Sequence, residues 1–176
     1  FGGEPLGVPV LNALEEAGLL PELIVCNPDR PVGRKQVMTH PPVKDWALER
    51  NIPVIQPENY KNKESLEALT RTKFDLFVVV AYNHILPQWL IELPKHKTLN
   101  VHPSLLPMFR GASPIRSAIL ADHNITGVTV MMLDDKMDHG PILNQEVIEI
   151  PEEDWPLSGP EMDILLAEAG GNLLAE

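Results

Sequence analysis

An α/β fold with a mainly parallel sheet flanked by helices follows from three observations on this sequence of 176 residues. Strand-like and helix-like segments alternate along the chain. The run from Phe74 to Ala81 is almost continuously apolar, the pattern of a strand buried on both faces. Between such segments fall 18 prolines and 11 glycines, which punctuate rather than fill the elements.

Taken in order, Phe1-Gly2-Gly3 has the character of a glycine turn that follows the first strand of such a sheet and leads into its first helix. The sequence therefore reads as one whose first strand is missing. Val8 to Ala17 places Val8, Leu11 and Leu14 on one helical face and stops at Gly18. Leu19 to Cys26 is expected as a strand, Val43 to Arg50 and Lys63 to Thr70 as helices, and Phe74 to Ala81 as the buried strand. Thr98 to His102 is a shorter strand. Pro114 to Ala121 is a helix opened by proline. Gly127 to Leu133 and Pro141 to Ile150 are two more strands, and Leu157 to Ala175 is a terminal helix interrupted at Gly170 and Gly171.

A chain of this length fits one domain and can bury ~70% of its unfolded surface. With 44% hydrophobic and 22% charged residues, wholesale disorder is excluded. The longest unbroken apolar run, Leu76 to Tyr82, has seven residues, against the ~20 of a membrane helix. No basic segment followed by an apolar one opens the sequence, so no signal peptide is read, and the protein is expected to be cytoplasmic, monomeric and without a membrane partner. The single cysteine, Cys26, excludes an internal disulfide and a cysteine-rich zinc site, and reads as a small buried hydrophobe. Trp46, Trp89 and Trp155 are scattered, which suggests packing. His40 and His96 read as surface residues, and His84 has no evident partner.

The net charge is −11, from 14 basic and 25 acidic residues, which argues against a generic nucleic-acid binder. Its distribution is uneven. Residues 149 to 176 hold eight acids and no Lys or Arg, so the first 148 carry only −3. Between Asn27 and Lys44 the balance is +3, with Arg30, Arg34, Lys35 and Lys44 against Asp29. One basic loop on an acidic body can dock a phosphate backbone.

The densest polar cluster runs from Asn100 to Pro114. Asn100 and His102 are two apart at a strand end, so both side chains point to one face. They fall at the carboxyl edge of the strands, where open α/β sheets bind ligands. A second cluster, Asp134-Asp135-Lys136-Met137-Asp138-His139-Gly140, fills a later turn. Each cluster alone is also explained by loop capping or solvation. A metal site from His102, Asp138 and His139 lacks any helical histidine spacing, and no metal is expected.

Together the clusters resemble the folate-dependent formyltransferases. The resemblance rests on Asn100-Val101-His102-Pro103-Ser104-Leu105-Leu106-Pro107, on Arg110-Gly111-Ala112 with Pro114, and on Met137-Asp138-His139-Gly140-Pro141 about 25 residues later. Pro28-Asp29-Arg30-Pro31-Val32-Gly33-Arg34, Pro42-Val43-Lys44, Gln56-Pro57 and Val79-Val80-Ala81-Tyr82 are similar to the branch that formylates methionyl-tRNA. The resemblance implies a Rossmann-like formyltransferase fold over the whole chain, as a catalytic domain whose C-terminal tRNA-binding domain is absent. It implies transfer of a formyl group from 10-formyltetrahydrofolate to the α-amino group of methionyl-initiator tRNA. Asn100, His102 and Asp138 would be catalytic; Ser104, Leu105, Leu106 and Pro107, with Ile85 and Leu86, would bind folate; Arg34 would touch the tRNA. Two departures stand out. Asn83-His84 replaces the usual glycine and apolar residue after Ala81-Tyr82, which would reshape the folate pocket, and Lys35-Gln36-Val37 replaces the usual Gly-Lys-Lys.

That reaction passes through a tetrahedral oxyanion and needs a proton delivered to the leaving nitrogen. An α-amino group has a pKa of about 7.7–8.0, lowered further beside an ester, so no powerful base is needed. The Asn100 amide suits the oxyanion, the His102 imidazole the proton shuttle, and Asp138 would orient that imidazole or relay the amine proton. Two alternatives share these residues: a sugar N-formyltransferase acting on a nucleotide-linked amino sugar, and an inactive folate-binding fragment.

Overall fold

The computed structural model describes residues 1–61 and 66–176. In chain order the elements are α1 (Gly7–Glu16), β1 (Ile24–Val25), β2 (Arg30–Val32), β3 (Val37–Thr39), α2 (Pro42–Glu49), β4 (Val54–Ile55) and α3 (Glu67–Arg71). There follow β5 (Phe77–Val80), α4 (Gln88–Ile91), β6 (Thr98–His102), α5 (Pro114–Leu120), β7 (Ile125–Met132), β8 (Ile142–Glu149) and α6 (Gly159–Ala175). The expected helix Lys63 to Thr70 falls partly outside the described residues; its described part is α3.

The α/β class stands, with parallel strands flanked by helices. β1 pairs with β4, and β5 with β6, both in parallel. Gly2 makes parallel bridges to Cys26 and to Val80, which places the first residues between β1 and β5. β7 and β8 then add two antiparallel strands, in the order β5-β6-β7-β8. The expected strand Leu19 to Cys26 shrinks to two residues, because Gly18 and Pro21 hold the preceding segment in a turn with Leu19 and Leu20 exposed. The β2–β3 hairpin was not expected. Pro31 and Gly33 read as loop residues in sequence, yet Pro31 is tolerated because β2 pairs on one side only.

Alternation along β5 and β6 sorts the core. Val80 and Val101 face a cluster with Val128, Met162 and Leu166 beneath α6, while Phe77 and Val79 face a second cluster with Leu69, Leu86 and Leu90. A third cluster seats α2 on β1 through Ile24, Cys26, Val43 and Trp46. Each such large side chain contributes about 1.5–3 kcal/mol of burial. Trp46 also donates to Asn12 Oδ1 at 2.7 Å, in keeping with a packing role. Cys26 is fully buried, and burial pushes its thiol up to about 11, so it is inert.

Gly170 and Gly171 do not interrupt α6. The helix opens on a capping box in which Ser158 and Glu161 satisfy each other's backbone N–H groups, and it runs on to Ala175. The two glycines are where it touches its neighbours. A Cβ on Gly170 would lie 2.5 Å from Val101 Cγ1, and one on Gly171 would lie 2.9 Å from Val10 Cα. They cost helix propensity but allow α6 to lie against α1 and β6.

Candidate active site

A cleft of about 1080 Å³ opens at the carboxyl ends of β5 and β6. Its polar floor is set by strand register. Asn100 pairs with Val79 on one side and Met131 on the other, and His102 pairs with Thr129, so both polar side chains lie on the same face of β6. Asn100 and His102 are buried and line the cleft. Among the described residues, no side-chain hydrogen bond ties up the Asn100 amide.

Asp138 reaches the same floor from the turn between β7 and β8. It adopts a left-handed conformation, φ +48°, which Asp accommodates better than most residues. Gly140 ends that turn by close approach: a Cβ there would lie 2.0 Å from the Met132 carbonyl oxygen. Asp138 Oδ2 accepts the Gly111 N–H at 2.7 Å, and Oδ1 lies 3.7 Å from His102 Nδ1. That second distance is beyond a direct hydrogen bond.

His102 Nε2 lies 3.2 Å from the Phe109 carbonyl. A carbonyl only accepts, so the ring proton sits on Nε2 and the Nδ1 lone pair faces Asp138. Burial lowers the imidazole pKa from its ordinary 6.5, and the Asp138 charge and the Phe109 carbonyl only partly oppose this. The ring is a neutral base at neutral pH. Two acceptors, Nδ1 and Asp138 Oδ1, therefore flank a gap on the cleft floor. An amine or water with two hydrogens can bridge them.

Of the residues expected around the folate, Ile85 and Leu86 line the cleft. Ser104, Leu105, Leu106 and Pro107 do not. Ser104 and Leu106 are buried behind His102, where Ser104 Oγ donates to the Met108 carbonyl at 2.7 Å. Leu105 packs on Gly127, and Pro107 is exposed on the outer side. Side chains of this segment are occupied in shaping the loop that returns Phe109 to His102.

Arg34 lies at the tip of the β2–β3 hairpin, away from the floor. Both hairpin strands are exposed. The root is tied down by Lys44, which donates to both Asp29 oxygens and to Gln56, while Gln56 donates to Asp29 and to the Asn27 carbonyl. The side-chain hydrogen bonds from Gln56 and Lys44 hold the Asp29 carboxyl below the usual carboxylate range. His40 is exposed but joins this root through Asp29, whose Oδ2 lies 3.5 Å from its Nε2, while its Nδ1 meets Asp45 at 2.8 Å.

The sequence did not single out His84 as a wall of the site. Its ring packs on Tyr82 (centroids 5.2 Å apart), whose hydroxyl meets that of Tyr60 at 2.6 Å, and both His84 and Tyr82 line the cleft. Asn83 donates to Glu4 Oε1 at 2.6 Å, joining two loops of the rim. The departure at Asn83-His84 was the available signal. Among the described residues, no cluster of three or more His, Cys, Asp or Glu side chains is placed to hold a metal ion, and no helix is long and apolar enough to cross a membrane.

Comparison with known proteins gives one answer at the level of family. Residues 3–158 match the family model described as Formyl transferase. A methionyl-tRNA formyltransferase of Halalkalibacterium halodurans is 45% identical over 177 residues, covering all of this chain and 55% of that protein. Another, from Listeria innocua, is 48% identical over 155 residues, covering 88% of this chain and 49% of its own length. Among solved structures, phosphoribosylglycinamide formyltransferase from Bacillus halodurans superposes with a TM-score of 0.74 at 27% identity, covering 99% of this chain and 88% of that one. The chain spans about half the length of the curated relatives it matches. An α/β sheet with this cleft at its strand ends, and a family match over most of its residues, leave one assignment: the chain belongs to the formyl transferase family.

Proposed function

We propose that this chain is the catalytic domain of an enzyme that transfers a formyl group from 10-formyltetrahydrofolate to the α-amino group of methionyl-initiator tRNA. The observation that carries the reading is the floor of the cleft, where an untethered amide (Asn100), a neutral imidazole (His102) and an anchored carboxylate (Asp138) converge. The relatives named methionyl-tRNA formyltransferase, and the basic hairpin that carries Arg34, support the tRNA acceptor.

The residues present suit a folate. Val79, Ile85, Leu86, Ile91 and Leu133 offer apolar walls for a flat heteroaromatic, and polar groups such as Glu4, Asn83 and Gln88 lie among the lining residues to bind its polar edges. The donor supplies an activated formyl carbonyl on an aryl nitrogen. Asn100 Nδ2–H donates to the oxygen as it gains charge, and one such donor contributes about 3–4 kcal/mol of barrier lowering. His102 Nδ1 and Asp138 Oδ1 hold the attacking amine by its two hydrogens. As the nitrogen becomes cationic on attack, His102 takes one proton and returns it toward the leaving nitrogen. Asp138, fixed by Gly111, stabilises the imidazolium formed in between.

The organisation proposed for the longer protein follows from the same reading. The apolar groove of about 450 Å³ beside β1 and β5, which Phe1 and Gly2 also line, suits a parallel strand in line with those two residues. A separate tRNA-binding domain would supply the positive surface that this acidic body does not. The enzyme would act in the cytoplasm as a monomer.

The test is an assay of the full-length protein with 10-formyltetrahydrofolate and charged initiator tRNA. Formyl-methionyl-tRNA is the expected product. Its absence, with formyl transfer to a nucleotide-linked amino sugar instead, would overturn the acceptor assignment.

A further inference from the structure

Behind His102 lies a closed hydrogen-bond set that the proposed chemistry does not use. Thr129 is fully buried on β7, directly across from His102 in register. Its hydroxyl donates to the Ser104 carbonyl at 2.6 Å and accepts from the Leu106 N–H at 3.2 Å and from Gln145 Nε2 at 2.8 Å. One donor and two lone pairs are all a hydroxyl has, so Thr129 is saturated. Gln145, opposite Thr129 on the exposed edge strand β8, places Nε2 also 3.0 Å from the Leu106 carbonyl. The segment so gripped leads straight back to the imidazole. Ser104 Oγ holds the Met108 carbonyl, and the next residue, Phe109, offers the carbonyl that accepts a hydrogen bond from the His102 Nε2–H.

We propose that Thr129 and Gln145 are positioning residues that fix the tautomer of His102, by holding the 104–108 turn so that the Phe109 carbonyl faces Nε2. The proposal rests on the formyl-transfer reading for its consequence in turnover, but not for its geometry. With the turn held, the Nδ1 lone pair is directed to the cleft, where the amine must be received. With the turn released, the Phe109 carbonyl leaves Nε2, the ring proton distributes over both nitrogens, and part of the population presents an N–H to the amine instead of a lone pair.

The test combines nitrogen NMR of His102 with steady-state kinetics on the full-length protein carrying Thr129→Val, Thr129→Ser or Gln145→Met. The parent is expected to show a single tautomer protonated on Nε2. Thr129→Val and Gln145→Met should show averaged ring-nitrogen shifts, with kcat down about tenfold, a part of the ~10²–10⁴ that a positioned acid–base group supplies. The KM values for folate and for tRNA should hold. Thr129→Ser, which restores the hydroxyl, should restore both the tautomer and kcat. Gln145 is on an exposed strand, so its variant reports on positioning even where the buried Thr129→Val fails to fold. An unchanged Nε2 tautomer in Gln145→Met, with kcat at the parent level, overturns the proposal. A parent with the expected tautomer and no formyl transfer overturns the functional reading and leaves this one standing.

Discussion

The floor of the cleft and the β2–β3 hairpin are built in opposite ways. On the floor, every group proposed to react is buried on a paired strand or fixed by a backbone bond: His102 to the Phe109 carbonyl, Asp138 to the Gly111 N–H, and the connecting turn to Thr129. In the hairpin, Arg30 lies on exposed β2 and Arg34 and Lys35 lie at the exposed tip, while Asp29, Lys44 and Gln56 anchor the root. Exposed Val32, Val37 and Met38 share that surface. On the proposed function, the contrast separates two tasks. Proton transfer needs groups held within a fraction of an ångström, which a buried sheet edge provides. Gripping a large charged partner needs reach and adaptable cations, which a hairpin anchored at one end provides.

The sharpest break of that comparison is on the floor. Asn100→Ala and His102→Ala should each lower kcat by roughly 10²–10³ while leaving folate affinity nearly unchanged, as for groups acting mainly in the transition state. Equilibrium binding of folate beside single-turnover rates checks both halves; wild-type turnover in His102→Ala would end the assignment. Asp138→Asn should cost about 10²-fold, because it removes the charge that stabilises the imidazolium while an oxygen remains to accept from Gly111.

In the hairpin the effects should be smaller and of another kind. Arg34→Ala should raise KM for charged tRNA several-fold, corresponding to about 1–1.5 kcal/mol from one charge-assisted contact, and leave KM for folate untouched. Titrating each substrate in turn separates the two. Equal KM values in variant and parent would show a merely solvated loop.

The smallest effect expected is in pH dependence. His102 has its pKa lowered by burial, so the folded protein stays neutral there while the unfolded chain takes up a proton near 6.5. Stability is then lost as pH falls from 6.5 to the folded value, and no further below it. The acid limb of kcat/KM should likewise lie below 6.5. NMR titration of the His102 ring places the folded value, and one at or above 6.5 would contradict the neutral-base role.

Which features the sequence disclosed follows from the range of the interactions involved. The spacing of Asn100 and His102 places them on one strand face by local geometry alone, and β6 has the expected bounds. Asp138 could be joined to them only through the family pattern, since its approach depends on the β7–β8 turn closing over Gly140. Gly170 and Gly171 looked like helix breakers because propensity is local, whereas their reason is contact with Val101, Ala13 and Val10 across the core. The hairpin was hidden by Pro31 and Gly33, and Gln145 by distance, since only strand register brings it to Leu106. His84 was visible as a departure but not as a wall beside Tyr82.

The division between floor and hairpin is tested most directly by one single-turnover experiment. Full-length parent, His102→Ala and Arg34→Ala proteins are loaded with 10-formyltetrahydrofolate, mixed with increasing charged initiator tRNA, and the rate of formyl-methionyl-tRNA formation is followed to saturation. The account predicts that Arg34→Ala reaches the parent's limiting rate at higher tRNA, and that His102→Ala stays roughly 10²–10³ lower at any concentration. A limiting rate lowered by Arg34→Ala, or recovered by His102→Ala at high tRNA, would contradict it.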